Sequence, residues 1–165
     1  ESEGRYDKIH LFDALGQRES ETVAPGLRST SIEVTGHGLG LAICYDVRFP
    51  TQFIDLALGG ATVMVVCASW APGPGKLHQW RTLTTARAMD SVSFVVAVDQ
   101  ALQGDAETPG GPTGSGHSMA VDPTGRVLLE LGAEPDLAFV DVDPERVAVT
   151  RETLPVLDGN RLRSL

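Results

Sequence analysis

Hydrophobic residues in the central part of the chain form three short, nearly continuous runs, which are separated by two segments with the spacing of an amphipathic helix. The runs lie at residues 39–44, 62–68 and 93–98. Runs of this length are typical of strands covered on both faces. Pro50 predicts the start of the first helix and Gly59-Gly60 its end, and the second helix is expected at 77–91.

Shorter strands are predicted on either side of this central unit. Residues 31–35 alternate between polar and apolar side chains, as a half-buried strand does. Pro144 predicts the start of a last short helix, and the Gly- and Pro-rich stretch 100–116 indicates a mobile surface loop. Three further strands are expected at 117–121, 126–131 and 137–142. The order of these elements predicts an α/β fold with a large mixed sheet.

Length and composition indicate one folded domain and exclude several kinds of partner. The 165 residues, 42% of them hydrophobic, are enough for one core. The net charge of −9 and the scattered Lys and Arg residues argue against nucleic acid and anionic membranes as partners. No apolar run approaches the roughly 18 residues of a membrane span, and we expect no signal peptide. The two cysteines form no CxxC pair, so we expect reduced thiols in a cytoplasmic protein.

Cys44 is the first candidate for chemistry, because it ends an apolar run and precedes the helix that Pro50 opens. A thiol at such a junction lies where a helix N-terminus favours negative charge, which suits a thiolate nucleophile. The alternative is a buried structural thiol. Cys67 has no polar neighbours in its run, VVCA, and is expected to be a core residue.

Three segments together resemble the carbon–nitrogen hydrolase (nitrilase) superfamily. They are residues 6–13 (YDKIHLFD), 39–50 (LGLAICYDVRFP) and 116–125 (GHSMAVDPTG). Their order and spacing fit as well, and the resemblance covers nearly the whole chain. The nearest branch contains amidases that act on small ω-amides, such as omega-amidase and deaminated-glutathione amidase.

The resemblance implies a four-layer α-β-β-α sandwich, here lacking its first strands and helices. Residues 1–165 would form the C-terminal two-thirds of one hydrolase domain. The chain enters its packed part at Tyr6 after only five residues, so we expect that a preceding segment is missing from the sequence. Members of the family need no organic cofactor or metal, and they commonly form dimers or larger homo-oligomers.

The catalytic set that the resemblance implies is Glu–Lys–Cys. Cys44 corresponds to the nucleophile, Lys8 to the lysine, and Glu19 to a second glutamate often found near the site. The general-base glutamate of the family falls in an earlier segment that this sequence does not contain. The implied reaction is hydrolysis of a small linear amide, preferably one bearing a carboxylate, through an acyl-thioester that releases ammonia.

Other residues are expected to position the substrate. The backbone N–H of Tyr45 and the Lys8 ammonium are the natural donors to the oxyanion of the tetrahedral intermediate. Arg48 either pairs with Asp46 or meets a substrate carboxylate. The candidates for substrate contact are Tyr45, Arg48, Ser69, Trp70 and His78.

Several other interpretations remain open. The same catalytic set serves hydrolysis of nitriles or N-carbamoyl compounds and acyl transfer. A Cys–His–acid hydrolase would use His78 or His117 as its base, and a non-catalytic fragment or scaffold would need neither. A metal site is disfavoured because no pair of Cys and His residues has zinc-like spacing. The residues from which such a metal site would be built are Cys44, Cys67, His10, His37, His78 and His117.

Overall fold

A mixed six-stranded sheet organises the computed structural model, which describes residues 4–102 and 114–159. The strands lie side by side in the order in which they occur along the chain. Strands β2, β3 and β4 are parallel, and the other neighbouring pairs are antiparallel. The strands are β1 (Thr30–Val34), β2 (His37–Ile43), β3 (Ala61–Ala68), β4 (Phe94–Asp99), β5 (Met119–Val121) and β6 (Val127–Glu130).

Two helices connect the parallel strands and cover one face of the sheet. Helix α1 (Pro50–Leu58) joins β2 to β3, and α2 (Lys76–Ser91) joins β3 to β4. The main core lies between these helices and the sheet, where Phe53 and Trp80 are fully buried. Helix α3 (Glu145–Thr153) follows β6. None of the described helices is long and apolar enough to cross a membrane.

The predicted α/β class and the central strand–helix–strand–helix–strand order are confirmed. Pro50 occupies the first turn of α1, where its missing N–H costs no hydrogen bond, and Gly59 follows the helix end. Of the four layers implied by the resemblance, the described residues supply one sheet and the helices α1 and α2 on one of its faces. Val147 of α3 packs with Val63 and Phe94 of the opposite face.

The strand expected at 137–142 does not form in the structure. Leu137 and Phe139 alternate as a strand would, but their relative exposures are 77% and 90%. A strand exists only where a neighbouring backbone accepts its hydrogen bonds, and no strand of the described residues pairs with this segment. The prediction was therefore wrong. Most of the loop expected at 100–116 lies outside the described residues.

The expectation that Cys67 is a core residue was also wrong, because its side chain is exposed. Successive side chains of a strand point to opposite faces. Met64 and Val66 point to the face covered by α1 and α2 and are fully buried, so Cys67 lies on the other face. The unbroken apolar run of β3 predicts a strand but does not show which of its residues are covered.

Arg151 holds α3 against the end of the sheet opposite to Cys44. Its guanidinium donates hydrogen bonds to the carbonyl oxygens of Ala61 (3.0 Å) and Val92 (3.2 Å) and to the hydroxyl of Ser93 (2.8 Å). These acceptors precede or begin β3 and β4. Because such acceptors cost free energy when they are buried without a partner, Arg151 stabilises this end of the sheet.

We expect the substitution Arg151→Met to lower the free energy of unfolding by about 2–4 kcal/mol, because it keeps the apolar stem and removes the donors. The matched control is Glu152→Gln, an exposed neighbour on the same helix, which we expect to change stability by less than about 0.5 kcal/mol. Urea-induced unfolding followed by circular dichroism measures both. Equal stability of the two variants would contradict the anchoring role.

Candidate active site

The C-terminal ends of β2 and β3 border a cavity of about 740 Å³. Ligands of sheets with parallel strands bind preferentially at this edge. The cavity brings together six of the eight predicted site residues. They are Lys8, Glu19, Cys44, Tyr45, Ser69 and Trp70.

Cys44 follows the last residue of β2 and begins a short 3-10 helix, Cys44–Arg48. Its φ of 47° lies in the left-handed region, which is uncommon for a residue other than glycine and is often found at functional sites. The thiol Sγ lies 4.0 Å from the carbonyl oxygen of Ser69. Burial raises the pKa of the thiol, and the nearby Lys8 ammonium opposes this effect.

Lys8 and Glu19 form a partly buried ion pair in the same cavity. Lys8 Nζ lies 2.5 Å from Oε2 of Glu19, and only 8% of the lysine side chain is exposed. The same carboxylate oxygen accepts a hydrogen bond of 2.7 Å from the backbone N–H of Phe12. A buried ammonium needs such a partner, and the second hydrogen bond fixes the position of the carboxylate.

Asp46 connects the segment that carries Lys8 to the turn that carries the thiol. Its side chain is completely buried. Oδ2 accepts hydrogen bonds from the Tyr6 hydroxyl (2.6 Å) and the Ile43 backbone N–H (2.9 Å). Oδ1 accepts from the backbone N–H of His10 (3.0 Å) and lies 2.8 Å from its Nδ1. The network thus holds the segment that carries Lys8 against the turn that carries Cys44.

Arg48 does not pair with Asp46, one of the two roles considered for it. It donates a hydrogen bond of 2.5 Å to Oε1 of Gln79 on α2. Its Cζ lies 5.9 Å from the ring centroid of Tyr45 and 5.1 Å from that of Trp70. Arg48 therefore stacks behind two residues that line the cavity, although it is not itself part of the lining.

Trp70 forms a fixed wall of the cavity. Its backbone N–H donates to Oδ1 of Asp99 at 2.6 Å, and its indole N–H donates to the carbonyl oxygen of Lys76 at 3.0 Å. Asp99, at the end of β4, also accepts two hydrogen bonds from Ser115. Burial raises the pKa of Asp99, while its hydrogen bonds oppose this effect.

The two histidines considered as bases lie outside the cavity lining. His78 is exposed in the first turn of α2, so its expected contact with substrate stays a prediction that this geometry does not favour. Nδ1 of His117 lies 3.3 Å from Oε1 of Glu130. Among the described residues, no group of three or more His, Cys, Asp or Glu side chains is arranged to hold a metal ion.

Sequence reasoning did not single out the other ten residues of the lining, among them Phe12, Cys67 and Lys76. Lys76 is the first residue of α2, and its Nζ lies 4.3 Å from the ring centroid of Trp70. A cation is unfavourable at a helix N-terminus, because the dipole is positive there. This unfavourable position is the signal in the sequence that distinguishes Lys76.

Comparison with known proteins identifies the relatives of this chain. The sequence profile of the family described as carbon–nitrogen hydrolase matches residues 1–152. The hydrolase Rv0480c of Mycobacterium tuberculosis is 47% identical over 160 residues, which are 94% of this chain and 57% of that protein. The deaminated glutathione amidase of Escherichia coli O157:H7 is 39% identical over 158 residues, 95% of this chain and 57% of that protein.

A solved structure with the same fold is the amidase of Nesterenkonia sp. AN1, from the nitrilase superfamily. It superposes with a TM-score of 0.75 and 27% identity over 96% of this chain and 53% of that chain. This structure, of a mutant of that amidase, shows the acetamide moiety of fluoroacetamide added covalently at the active-site cysteine. The chain therefore spans about half the length of the relatives it matches.

The charges around the thiol predict opposite effects of two substitutions on its pKa, tested in a Cys67→Ser background so that one thiol reacts. Lys8→Met should raise the pKa of Cys44, because the Lys8 charge lowers it. Glu19→Gln should lower the pKa of Cys44, because the carboxylate raises it and also neutralises Lys8.

The measurement is the rate of alkylation of Cys44 by iodoacetamide between pH 6 and 10. Below the pKa, each unit of upward shift slows the reaction about tenfold, because only the thiolate reacts. Arg5→Met removes an exposed cation from the same N-terminal segment and should leave the profile unchanged. Shifts of the same sign in the two cavity variants would contradict this electrostatic account.

Proposed function

Because this chain belongs to the carbon–nitrogen hydrolase family, we propose that it supplies the cysteine of a hydrolase that cleaves the carbon–nitrogen bond of a small linear amide and releases ammonia. The observation that carries the proposal is that the Cys44 thiol and the Lys8–Glu19 ion pair line one cavity. The name of the Escherichia coli relative and the covalent adduct of the Nesterenkonia amidase support the same activity.

In the proposed reaction, the Cys44 sulfur attacks the amide carbonyl carbon, and the thiol proton passes to the departing nitrogen as ammonia leaves. Water then attacks the acyl-thioester, which releases the carboxylic acid and restores the thiol. The Lys8 ammonium lines the same cavity as the thiol, and in this proposal it donates to the oxyanion. The N–H groups of the 3-10 turn at Tyr45 offer further donors, because the first N–H groups of a helix lack partners within it.

Glu19 has a positioning role in this proposal. One of its oxygens is shared by the Lys8 ammonium and the Phe12 N–H, so the carboxylate holds the lysine side chain in place. The proposal places residues 1–165 within a single hydrolase domain. Since the chain spans about half the length of its relatives, the activity is proposed for the whole protein that contains it.

We propose further that the protein works in the cytoplasm as a homodimer or larger homo-oligomer, with no metal, organic cofactor, nucleic acid or membrane partner. The net charge of −9 supports the exclusion of polyanionic partners. The exposed Leu137 and Phe139 support contact with further protein, because large apolar side chains cluster there in the open. Sedimentation velocity tests the assembly, and a monomer at micromolar concentration would contradict it.

The activity is tested by measuring ammonia release from a panel of linear amides. Cys44→Ala should abolish turnover, because no acyl-thioester forms. Lys8→Met should lower kcat about 10²–10³-fold, the usual cost of losing one donor to an oxyanion. Full activity of the Cys44→Ala variant would contradict the proposal.

His117→Ala separates this mechanism from a cysteine–histidine hydrolase. The imidazole lies outside the cavity lining, so we expect kcat/KM to change less than about twofold, within the effect of an ordinary surface substitution. Loss of activity in His117→Ala together with normal activity in Lys8→Met would instead assign the base to histidine.

A further inference from the structure

We propose that Asp99, the last residue of β4, is a positioning residue for the candidate nucleophile Cys44. Its buried carboxylate fixes the peptide group that joins Ser69 to Trp70, and this peptide group borders the thiol. The proposal rests on the function proposed above, since it takes Cys44 as the nucleophile. It adds a residue that lies outside the cavity lining and acts on the thiol through the backbone.

The peptide group between Ser69 and Trp70 connects the carboxylate to the thiol. Its N–H, which belongs to Trp70, donates to Oδ1 of Asp99 at 2.6 Å. Its carbonyl oxygen, which belongs to Ser69, lies 4.0 Å from Sγ of Cys44. The N–H and C=O of a trans peptide group lie in one rigid plane and point in opposite directions. The hydrogen bond at one end of the group therefore sets the direction of the carbonyl at the other end.

The preceding peptide group is also fixed at the end of β4. The backbone N–H of Gln100 donates to the carbonyl oxygen of Ala68 at 2.9 Å. Burial raises the pKa of Cys44, whereas the Lys8 charge and a hydrogen bond with the backbone of Ser69 lower it. Both peptide groups that flank Ser69 are thus held by hydrogen bonds to β4 and its next residue, at the point where the backbone meets the thiol.

The surroundings of Asp99 explain why a carboxylate occupies this position. Oδ2 accepts hydrogen bonds from the backbone N–H of Ser115 at 2.8 Å and from its hydroxyl at 2.9 Å. With the Trp70 N–H, three uncharged donors converge on two carboxylate oxygens, whereas the amide of an asparagine offers only one acceptor oxygen. Burial raises the pKa of Asp99, and these hydrogen bonds oppose the effect by favouring the ionised form.

Two glycines allow Ser115 to reach the carboxylate. A Cβ at Gly114 would lie 2.0 Å from the carbonyl oxygen of Gln100, and one at Gly116 would lie 2.6 Å from that of Ala133. Both glycines have a φ of 69°, in the left-handed region that other residues rarely adopt. The backbone can therefore pass this close to the end of β4 because glycine stands on each side of the serine.

The first test measures how fast iodoacetamide alkylates Cys44 between pH 6 and 10, followed by peptide mass spectrometry. Asp99→Asn should lower the pKa of Cys44, because the charge of Asp99 adds to the effect of burial in raising it. Ser115→Ala keeps that charge and should leave the pKa of Cys44 unchanged. Glu33→Gln, which removes an exposed carboxylate of β1, is the matched control and should also leave it unchanged. A purely structural role of Asp99 would not shift the pKa in one variant alone.

The second test measures ammonia release by the whole protein from the same panel of amides. Asp99→Asn should lower kcat about 10–100-fold with little change in KM, because a small displacement beside the nucleophile slows the reaction. Ser115→Ala should lower kcat about fivefold, the usual weight of one neutral hydrogen bond. Glu33→Gln should leave both constants unchanged. Urea-induced unfolding shows whether each variant is folded.

The outcomes separate the positioning role from the proposed function. The role is overturned if folded Asp99→Asn leaves either the pKa of Cys44 or kcat unchanged, or raises KM alone. If Asp99→Asn does not fold, an unchanged kcat in Ser115→Ala overturns the role. If the unsubstituted protein releases no ammonia, the hydrolase function falls, and the pKa of Cys44 alone then decides the role of Asp99.

Discussion

The buried carboxylate of Asp46 is the constraint on which the candidate site depends. It accepts hydrogen bonds from Tyr6, His10 and Ile43, and so joins the N-terminal segment to the turn after β2. The pKa of Tyr6 is raised by its burial and by its hydrogen bond to Asp46, so the phenol remains a donor at any physiological pH. Together with the stacking of His10 on Phe49 and the edge contact of Phe12 with Tyr45, this junction holds the segment that carries Lys8 against the turn that carries Cys44.

Charge is divided unevenly within the cavity. Near the thiol, the ammonium of Lys8 is balanced by Glu19, so an uncharged carbonyl group can approach without meeting a net charge. Near Trp70, Lys76 lines the cavity, and Arg48 contacts the same ring from outside the lining.

The central elements follow from local signals in the sequence, while the site depends on contacts that are distant along the chain. Pro50 and Gly59 mark the ends of α1 because they act on their own backbone. The exposure of Cys67 depends instead on which elements cover its face of the sheet. Whether residues 137–142 form a strand depends on whether another strand pairs with them. Lys8, Glu19 and Cys44 were found by resemblance, but no such pattern marked Lys76.

The arrangement of the sheet has a consequence for how the molecule reaches its final form. Every strand pairs with the strand next to it in the chain, so each strand can join the sheet in the order in which it is synthesised. The junction at Asp46 joins residues 40 positions apart and requires the turn after β2 to exist first. All partners in this junction precede β3 in the chain, so the candidate nucleophile can be fixed in place before the later strands of the sheet are added.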